Sequence, residues 1–158
     1  MEKARENFIS WDECFMCMAH VISERSKDPS TQVGAVIADQ HNIVIGLGYN
    51  GFPRSTDDSA FTWEREGEKM SDKKYAYICH AEENAIYNAS KQPKECKIYS
   101  TLFPCNECSK ALVQNGIKEV IFESDKYHDD DMFVASRRIL KAAGVTCRQY
   151  ISKYAQEN

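Results

Sequence analysis

Two short motifs, 21 residues apart, constrain this chain more than any other feature of its sequence. The first is His80-Ala81-Glu82, and the second is Pro104-Cys105-Asn106-Glu107-Cys108. They offer one imidazole, two thiols and a carboxylate. Three nitrogen and sulfur ligands leave the fourth tetrahedral position of a zinc ion open to water, which distinguishes catalytic sites from structural ones. The fold must therefore bring the residues near 80 and 105 together around one metal ion.

A structural zinc, with Glu82 as an ordinary surface residue, is the alternative interpretation. Such a site takes a fourth protein ligand, and no further Cys or His stands at a matching spacing. Cys79 adjoins His80, but consecutive residues at the start of a helix point about 100° apart. We therefore interpret Glu82 as a general acid and base beside a catalytic Zn²⁺. The predicted zinc ligands are His80, Cys105 and Cys108.

Both motifs are predicted to begin helices, which suits metal binding. Cys105 and Cys108 stand three residues apart, so one face of a helix carries both thiols. The positive end of a helix lowers the pKa of a nearby thiol and favours the thiolate that zinc binds.

Hydrophobic periodicity and helix breakers predict an alternating series of helices and strands. Ser10 and Glu13 fit a capping box at the start of the first helix. The buried stripe of that helix is predicted to contain Trp11, Phe15, Met18 and Ile22. The predicted helices span about 11–25, 80–90, 105–115 and 129–143, and the predicted strands span 33–38, 43–47, 97–102, 119–122 and 145–150.

The order α-β-β-α-β-α-β-α-β predicts a mixed sheet with helices on both faces. At this length, residues 1–158 are expected to form a single domain. A long connection, 50–78, separates the second strand from the helix that begins near His80, and loops of this length are often functional. Within it, Phe61 and Trp63 are expected to pack against the protein itself.

Composition limits the possible partners and compartment. With 20 basic and 24 acidic residues the formal charge is −4, which disfavours a surface that follows nucleic-acid phosphates. No apolar run approaches the roughly 20 residues of a membrane span, so no membrane partner is expected. Residues 1–7 lack an apolar signal core, so we expect no secretory peptide. Seven cysteines, an odd number, favour metal chemistry in a reducing, cytoplasmic compartment over a disulfide framework.

The remaining cysteines do not predict a second metal site. Cys14, Cys17 and His20 drift around the axis of the first helix, and a free Cys usually behaves as a small buried hydrophobe. Cys96 and Cys147 stand on predicted strands and are expected in the core.

Short segments around and beyond the zinc motifs form a longer pattern. They are Arg25-Ser26-Lys27-Asp28-Pro29, Gln32-Val33-Gly34-Ala35, Gly48-Tyr49-Asn50-Gly51, Cys79-His80-Ala81-Glu82, Thr101-Leu102-Phe103-Pro104-Cys105-Asn106-Glu107-Cys108, Gly116-Ile117-Lys118-Glu119-Val120 and Asp125-Lys126-Tyr127. In this order, over about 10–148, they resemble the deoxycytidylate (dCMP) deaminase family, and its eukaryotic and some viral members most. Other zinc-dependent deaminases share the metal motif but not the whole set.

This resemblance implies a three-layer α/β/α sandwich with a mixed five-stranded sheet, and the hydrolysis of dCMP to dUMP and ammonia. Water activated by zinc would attack C4 of the cytosine ring. Glu82 would take the water proton, pass it to N3 and then protonate the departing amine. The resemblance also implies a homo-oligomer, commonly a hexamer, that dCTP activates and dTTP inhibits.

A monophosphate substrate needs hydrogen-bond donors. Arg25, Ser26 and Lys27 follow the first helix and are predicted to meet a phosphate. The alternative is that the two cations only complement the dipole of that helix. Tyr127 resembles a phosphate-contacting tyrosine of the family, with an ordinary aromatic residue at the rim as the alternative.

Asn50 and Gly51 follow the second strand and are predicted to contact a nucleotide. A glycine lets a ligand approach the backbone closely, and an amide both donates to and accepts from a sugar hydroxyl. The alternative is a simple turn at the strand exit, where Asn-Gly is common. The resemblance places this segment at the effector site as well, so substrate and effector both remain open as its ligand.

Two other activities and one non-enzymatic function compete with this interpretation. A deaminase acting on a base within RNA or single-stranded DNA needs a basic channel, which the acidic balance disfavours. dCTP as an additional substrate stays within the same chemistry. A zinc-stabilised binding module would not need the carboxylate of Glu82.

Overall fold

The computed structural model describes residues 1–157, and in them the predicted order of elements is confirmed with boundaries shifted by a few residues. The helices are α1 (Trp11–Ser23), α2 (Ala81–Tyr87), α3 (Asn106–Gln114), α4 (Asp131–Ala142) and α5 (Lys153–Glu157). The strands are β1 (Gly34–Ala38), β2 (Val44–Tyr49), β3 (Lys97–Leu102), β4 (Glu119–Ser124) and β5 (Thr146–Gln149). The short helix α5 was not predicted from the sequence.

The five strands form one mixed sheet in the order β2-β1-β3-β4-β5. β1 is antiparallel to both of its neighbours, β2 and β3. β3, β4 and β5 run parallel to one another, so the crossovers between them carry helices α3 and α4. The carboxyl end of β3 therefore leads directly into the segment that begins α3.

Alternate residues of the strands face two separate helix layers. Ala35, Ile37 and Ile98 join the core that contains residues of α2, α3 and α4. Val36 and Tyr99 face the opposite core, which is built on α1. This alternation confirms the predicted α/β architecture, with the mixed five-stranded sheet between two layers of helices.

The long connection between β2 and α2 is held together by aromatic packing and three single turns of 3-10 helix (Asp58–Ala60, Met70–Asp72 and Lys74–Ala76). The ring of Phe52 lies 4.1 Å from that of Trp63 and 5.1 Å from that of Phe61, centroid to centroid. Phe61 in turn stacks on Tyr77 at 4.8 Å. The expectation that Phe61 and Trp63 pack against the protein itself is confirmed.

The start of α1 agrees only in part with the capping box that the sequence predicts. The backbone N–H of Glu13 donates to Ser10 Oγ at 3.1 Å, so the predicted N-cap is confirmed. The side chain of Glu13 does not reach back to complete a capping box. It is buried and accepts hydrogen bonds from the Tyr150 hydroxyl at 2.7 Å and the Lys153 backbone N–H at 3.0 Å. A long-range partner replaces the local one because the chain's last segment returns to α1.

The buried face of α1 is also rotated from the predicted stripe. Trp11 was predicted to be buried but is 56% exposed, while Met16 and Ala19 are fully buried. Trp11 instead stacks on the outer side of Phe15, with ring centroids 5.4 Å apart. The small residue Ala19 faces the sheet because the backbone of α1 approaches β1 closely there.

A second buried carboxylate, Glu123 at the end of β4, binds the same returning segment. It pairs with the ring of His20 and accepts the backbone N–H of Ser152 at 2.8 Å. The His20 ring also stacks on Tyr154 at 4.6 Å. His20 is therefore engaged in fastening the last residues to α1.

β5 is an edge strand, and its four residues are exposed. The prediction that Cys147 lies in the core is therefore wrong, whereas Cys96 is buried as expected. Arg148 ties this edge to α1, since its guanidinium donates to both carboxylate oxygens of Asp12 at 2.7 and 2.8 Å. None of the helices in residues 1–157 has the length and apolarity needed to cross a bilayer.

A substitution at Gly34 tests how closely α1 approaches the sheet. A Cβ at this position would lie 1.8 Å from the carbonyl oxygen of Ala19, so one of the two backbones would have to move. We expect Gly34→Ala to lower the free energy of unfolding by about 3 kcal/mol, the upper end of typical overpacking costs. Gly51→Ala is the control, because a Cβ there meets no atom closer than 4.0 Å. Equal midpoints for the two variants in urea denaturation would contradict this packing.

Candidate active site

The three predicted zinc ligands converge at the starts of two helices. His80 precedes α2 as its N-cap, and Cys105 occupies the same position before α3. His80 Nδ1 lies 3.4 Å from Cys105 Sγ and 3.3 Å from Cys108 Sγ. Tetrahedral zinc with ordinary bond lengths separates a nitrogen and a sulfur ligand by about 3.5 Å. The three side chains thus fit one zinc ion without rearrangement.

The pKa values of these three side chains indicate which protons a bound metal ion would displace. Hydrogen bonds from Cys108 and then from His80 lower the pKa of Cys105 to about 4. The pKa of His80 rises to about 9, mainly through its hydrogen bond with Cys105. The same neighbour, together with burial, raises the pKa of Cys108. Without metal, protons balance the thiolate at neutral pH, and a divalent cation would take over that role.

Glu82 lies in the first turn of α2, two residues beyond His80, and is buried with only 5% of its surface exposed. Its Oε1 accepts a hydrogen bond of 3.0 Å from the hydroxyl of Ser100 on β3. Burial raises the pKa of the Glu82 carboxyl. A carboxyl whose pKa moves toward neutrality exchanges protons readily, as a general acid and base must.

Two buried hydroxyls position the loop that carries Cys105. Ser136 on α4 donates to the carbonyl oxygen of Pro104 at 2.7 Å, and Ser109 on α3 lies 2.6 Å from the same hydroxyl. The backbone N–H of Phe103 donates to the carbonyl of Ser124 at 2.9 Å. Helices α3 and α4 and strand β4 therefore fix the two residues that precede Cys105.

A cavity of about 390 Å³ opens above this cluster. His80, Glu82 and Cys105 line it at the helix starts, and Phe103 and Phe133 add apolar walls. Its volume lies within the range of small-molecule sites. The cavity can therefore receive a planar ring beside the metal ligands and Glu82.

The nucleotide contacts that the sequence predicted are divided between this cavity and its surroundings. Asn50 and Tyr127 line the cavity, whereas Arg25, Ser26 and Lys27 do not. Lys27 is exposed and pairs with Asp58 at 2.5 Å, and Arg25 is exposed too. Ser26 is half-buried and donates to the backbone carbonyl of Asn50 at 2.8 Å.

Asn50 uses its amide to join two segments of the cavity wall. Its side-chain oxygen accepts the Val33 backbone N–H at 2.8 Å, and its side-chain nitrogen donates to the Thr31 carbonyl at 2.9 Å. Gly51 lines a second cavity of about 410 Å³, together with Arg54 and Asn84. Two consecutive residues at the exit of β2 thus contribute to different cavities.

Among the residues that sequence reasoning missed are Ser100, which donates to Glu82, and the cavity-lining residues Arg65, Lys74, Tyr75 and Phe133. Ser100 looks like an ordinary strand residue, and Arg65, Lys74 and Tyr75 belong to the long connection. Lys74 is buried and binds both carboxylate oxygens of Asp28, at 2.8 and 2.7 Å. For Lys74 the sequence signal was the length of the connection, which suggested a functional segment without naming residues, whereas Asp28 belongs to a segment of the family pattern in which no role was assigned to it.

The chain is similar to proteins of one family. Residues 9–124 match the model of the cytidine and deoxycytidylate deaminase zinc-binding region. The deoxycytidylate deaminase of Mus musculus is 50% identical over 155 residues, covering 98% of this chain and 87% of the mouse protein. That of Homo sapiens is 50% identical over 152 residues, covering 96% and 85%.

A solved structure shares the fold. The dCMP deaminase of the cyanophage S-TIM5, crystallised with dCMP and dUMP, superposes with a TM-score of 0.69 at 23% identity. The match covers 87% of this chain and 95% of the phage chain.

The ligand set can be tested by metal analysis. We expect about one zinc ion per purified chain, and a loss of at least nine tenths of it in Cys105→Ser and in Cys108→Ser, because a serine hydroxyl is a poor zinc ligand at neutral pH. Cys147→Ser, on the exposed edge strand, is the matched control and should keep its zinc. Stoichiometric zinc in the Cys105→Ser protein would show that the metal is held elsewhere.

Proposed function

Because the chain belongs to the cytidine and deoxycytidylate deaminase family, we propose that it hydrolyses dCMP to dUMP and ammonia. The family predicted from the motifs is thereby confirmed, and with it a zinc-dependent enzyme. The observation that carries the chemistry is the convergence of His80, Cys105 and Cys108 beside the buried carboxyl of Glu82, at one end of a cavity of small-molecule size. The choice of dCMP is supported by the two mammalian relatives, which match over nearly the whole chain.

The proposed reaction exchanges the exocyclic amine of cytosine for a water oxygen. A zinc ion held by the three ligands would act as a Lewis acid that makes water nucleophilic at neutral pH. Glu82 accepts one proton from the attacking water and delivers it to ring N3. It then takes the remaining proton of the hydroxyl added at C4 and passes it to the amine, so that the C4–N bond breaks, ammonia leaves and the C4 carbonyl forms. Ser100 holds one oxygen of Glu82, so the other oxygen remains available for the proton transfers.

We infer the binding of the rest of the nucleotide from the cavity walls and from the family. Asn50 is the proposed contact of the sugar and Tyr127 that of the phosphate, and the position of both in the cavity lining supports these roles. Ser26 supports Asn50 through its backbone carbonyl. Arg25 and Lys27 remain predicted phosphate contacts, and Lys27 would have to leave Asp58 to act as one.

The second cavity supports the proposal that dCTP and dTTP regulate the enzyme. Gly51 lines it and exchanges two backbone hydrogen bonds with Cys79, at 3.0 and 2.7 Å. Cys79 directly precedes the ligand His80. A nucleotide bound there would therefore contact a segment joined to the zinc site.

The family also supports proposals on assembly and compartment. We propose that residues 1–158 act as one catalytic domain within a homo-oligomer, as a hexamer. The seven cysteines are free, which suits the reducing conditions of a cytoplasm.

A substrate panel tests the activity. Ammonia release would be followed with deoxycytidine, dCMP, dCTP and a cytosine-containing single-stranded oligonucleotide, each with and without dCTP or dTTP as effector. We expect turnover of dCMP to exceed that of the other substrates at least tenfold, with dCTP raising it and dTTP lowering it. Faster turnover of dCTP or of the oligonucleotide than of dCMP would show that dCMP is not the preferred substrate.

Glu82→Gln tests the proton transfers. The amide preserves the shape but cannot carry a proton, so we expect turnover to fall by about 10²- to 10⁴-fold while zinc content and the unfolding midpoint stay unchanged. Glu107→Gln is the matched control, because Glu107 lies in the first turn of α3 but is exposed. Retained activity in the Glu82→Gln protein would refute its role.

A further inference from the structure

Part of the lining of the main cavity, which we call the rim, is formed by residues that the zinc motifs do not include. Arg65 and Tyr75 come from the long connection, and Tyr127 and Asp130 come from the segment that precedes α4. His80, Glu82 and Cys105 line the cavity at the helix starts. A nucleotide whose base lies beside Glu82 would place its sugar and phosphate against other parts of the same lining, and the rim offers the phosphate a guanidinium and tyrosine hydroxyls.

The charges lining the cavity differ in whether they are already neutralised. Lys74 is the buried cation, and its ammonium is bound by both oxygens of Asp28, which is itself only 3% exposed. Arg65 makes no ion pair with a carboxylate anywhere in residues 1–157. The guanidinium of Arg65 therefore brings to the rim a positive charge that no carboxylate binds directly, although the adjacent Glu66 acts on it at longer range.

Two tyrosines define the surroundings of that guanidinium. Arg65 Nε donates to the Tyr75 hydroxyl at 3.2 Å, which leaves the terminal nitrogens free to bind a ligand. Tyr127 lies close enough to Arg65 to affect its pKa, which is raised mainly by the bond to Tyr75. Asp130 also lines the cavity, and it accepts the Met132 backbone N–H at 2.9 Å as the N-cap of α4.

We propose that Arg65 binds the 5′-phosphate of the substrate and makes the enzyme select nucleoside monophosphates over nucleosides. This assignment rests on the deaminase function proposed above. A guanidinium presents parallel N–H donors that match two phosphate oxygens, and Tyr75 holds it in one orientation. Tyr127 supplies a further hydroxyl beside the same phosphate.

The proposal moves the phosphate site from the first loop to the long connection. Arg25 and Lys27 do not line the cavity, and Lys27 is paired with Asp58. The buried ion pair of Lys74 and Asp28 anchors the connection to the loop after α1, so Arg65 is held over the cavity by a fixed support. The long connection thereby has a function, because it places the guanidinium of Arg65 beside the substrate.

The test compares dCMP with deoxycytidine, which lacks the phosphate, in the full-length zinc enzyme. For Arg65→Gln we expect kcat/KM on dCMP to fall about 10- to 100-fold, mainly through KM, because a charge-assisted contact is lost. Its kcat/KM on deoxycytidine should stay within about threefold of wild type. Arg65→Lys should lose less on dCMP, and Tyr75→Phe should lose a few-fold.

The control is Arg138→Gln, which removes an equal charge from the exposed face of α4 and should leave both substrates unchanged. Zinc content and unfolding midpoint confirm that each variant is folded. An Arg65→Gln enzyme that keeps the wild-type ratio of dCMP to deoxycytidine activity overturns the assignment of Arg65 alone. A wild-type enzyme that does not deaminate dCMP overturns the proposed function and this assignment together.

Discussion

The hydrogen-bonded position of β3 between β1 and β4 is the constraint on which the active site depends. The register pairs Ser100 with Ala35 on one side and with Phe122 on the other. This register turns the Ser100 hydroxyl toward Glu82 and leads the chain from β3 into Pro104 and the zinc ligands. A slip of one residue would turn Ser100 to the α1 layer, because successive side chains of a strand face opposite sides.

Buried charge is distributed so that one carboxyl keeps its capacity for proton exchange. Asp28 is neutralised by Lys74, and the thiolate of Cys105 is balanced by the neighbouring imidazole. Glu82 has a hydroxyl partner, Ser100, and burial raises its pKa. An ammonium partner would have held Glu82 ionised and made it a poorer proton carrier. Arg65 likewise has no directly bound carboxylate, and its proposed contact with a phosphate rests on that.

The sequence predicted those features whose residues lie close together in the chain. The N-cap at Ser10, the order of the elements and the two motifs at the helix starts depend on contacts within a few residues, and local chemistry determines them. Predictions failed where a distant segment supplied the partner. Glu13 binds the returning segment near Lys153 instead of its own helix start. The prediction for Cys147 failed for another reason, because its strand is the edge of the sheet and is exposed.

By itself, the sequence predicted the family, from the order of seven short segments, and the α/β architecture, from the periodicity of its elements. The spacing of the two zinc motifs predicted the set of candidate metal ligands, because it restricts which side chains share a helix face. The tertiary structure decided which other side chains meet that set. Ser100 reaches Glu82 through strand register, and Arg65 reaches the cavity through a connection fastened by the Lys74–Asp28 pair. Such neighbours depend on the path of the chain in three dimensions, and no local pattern of residues encodes that path.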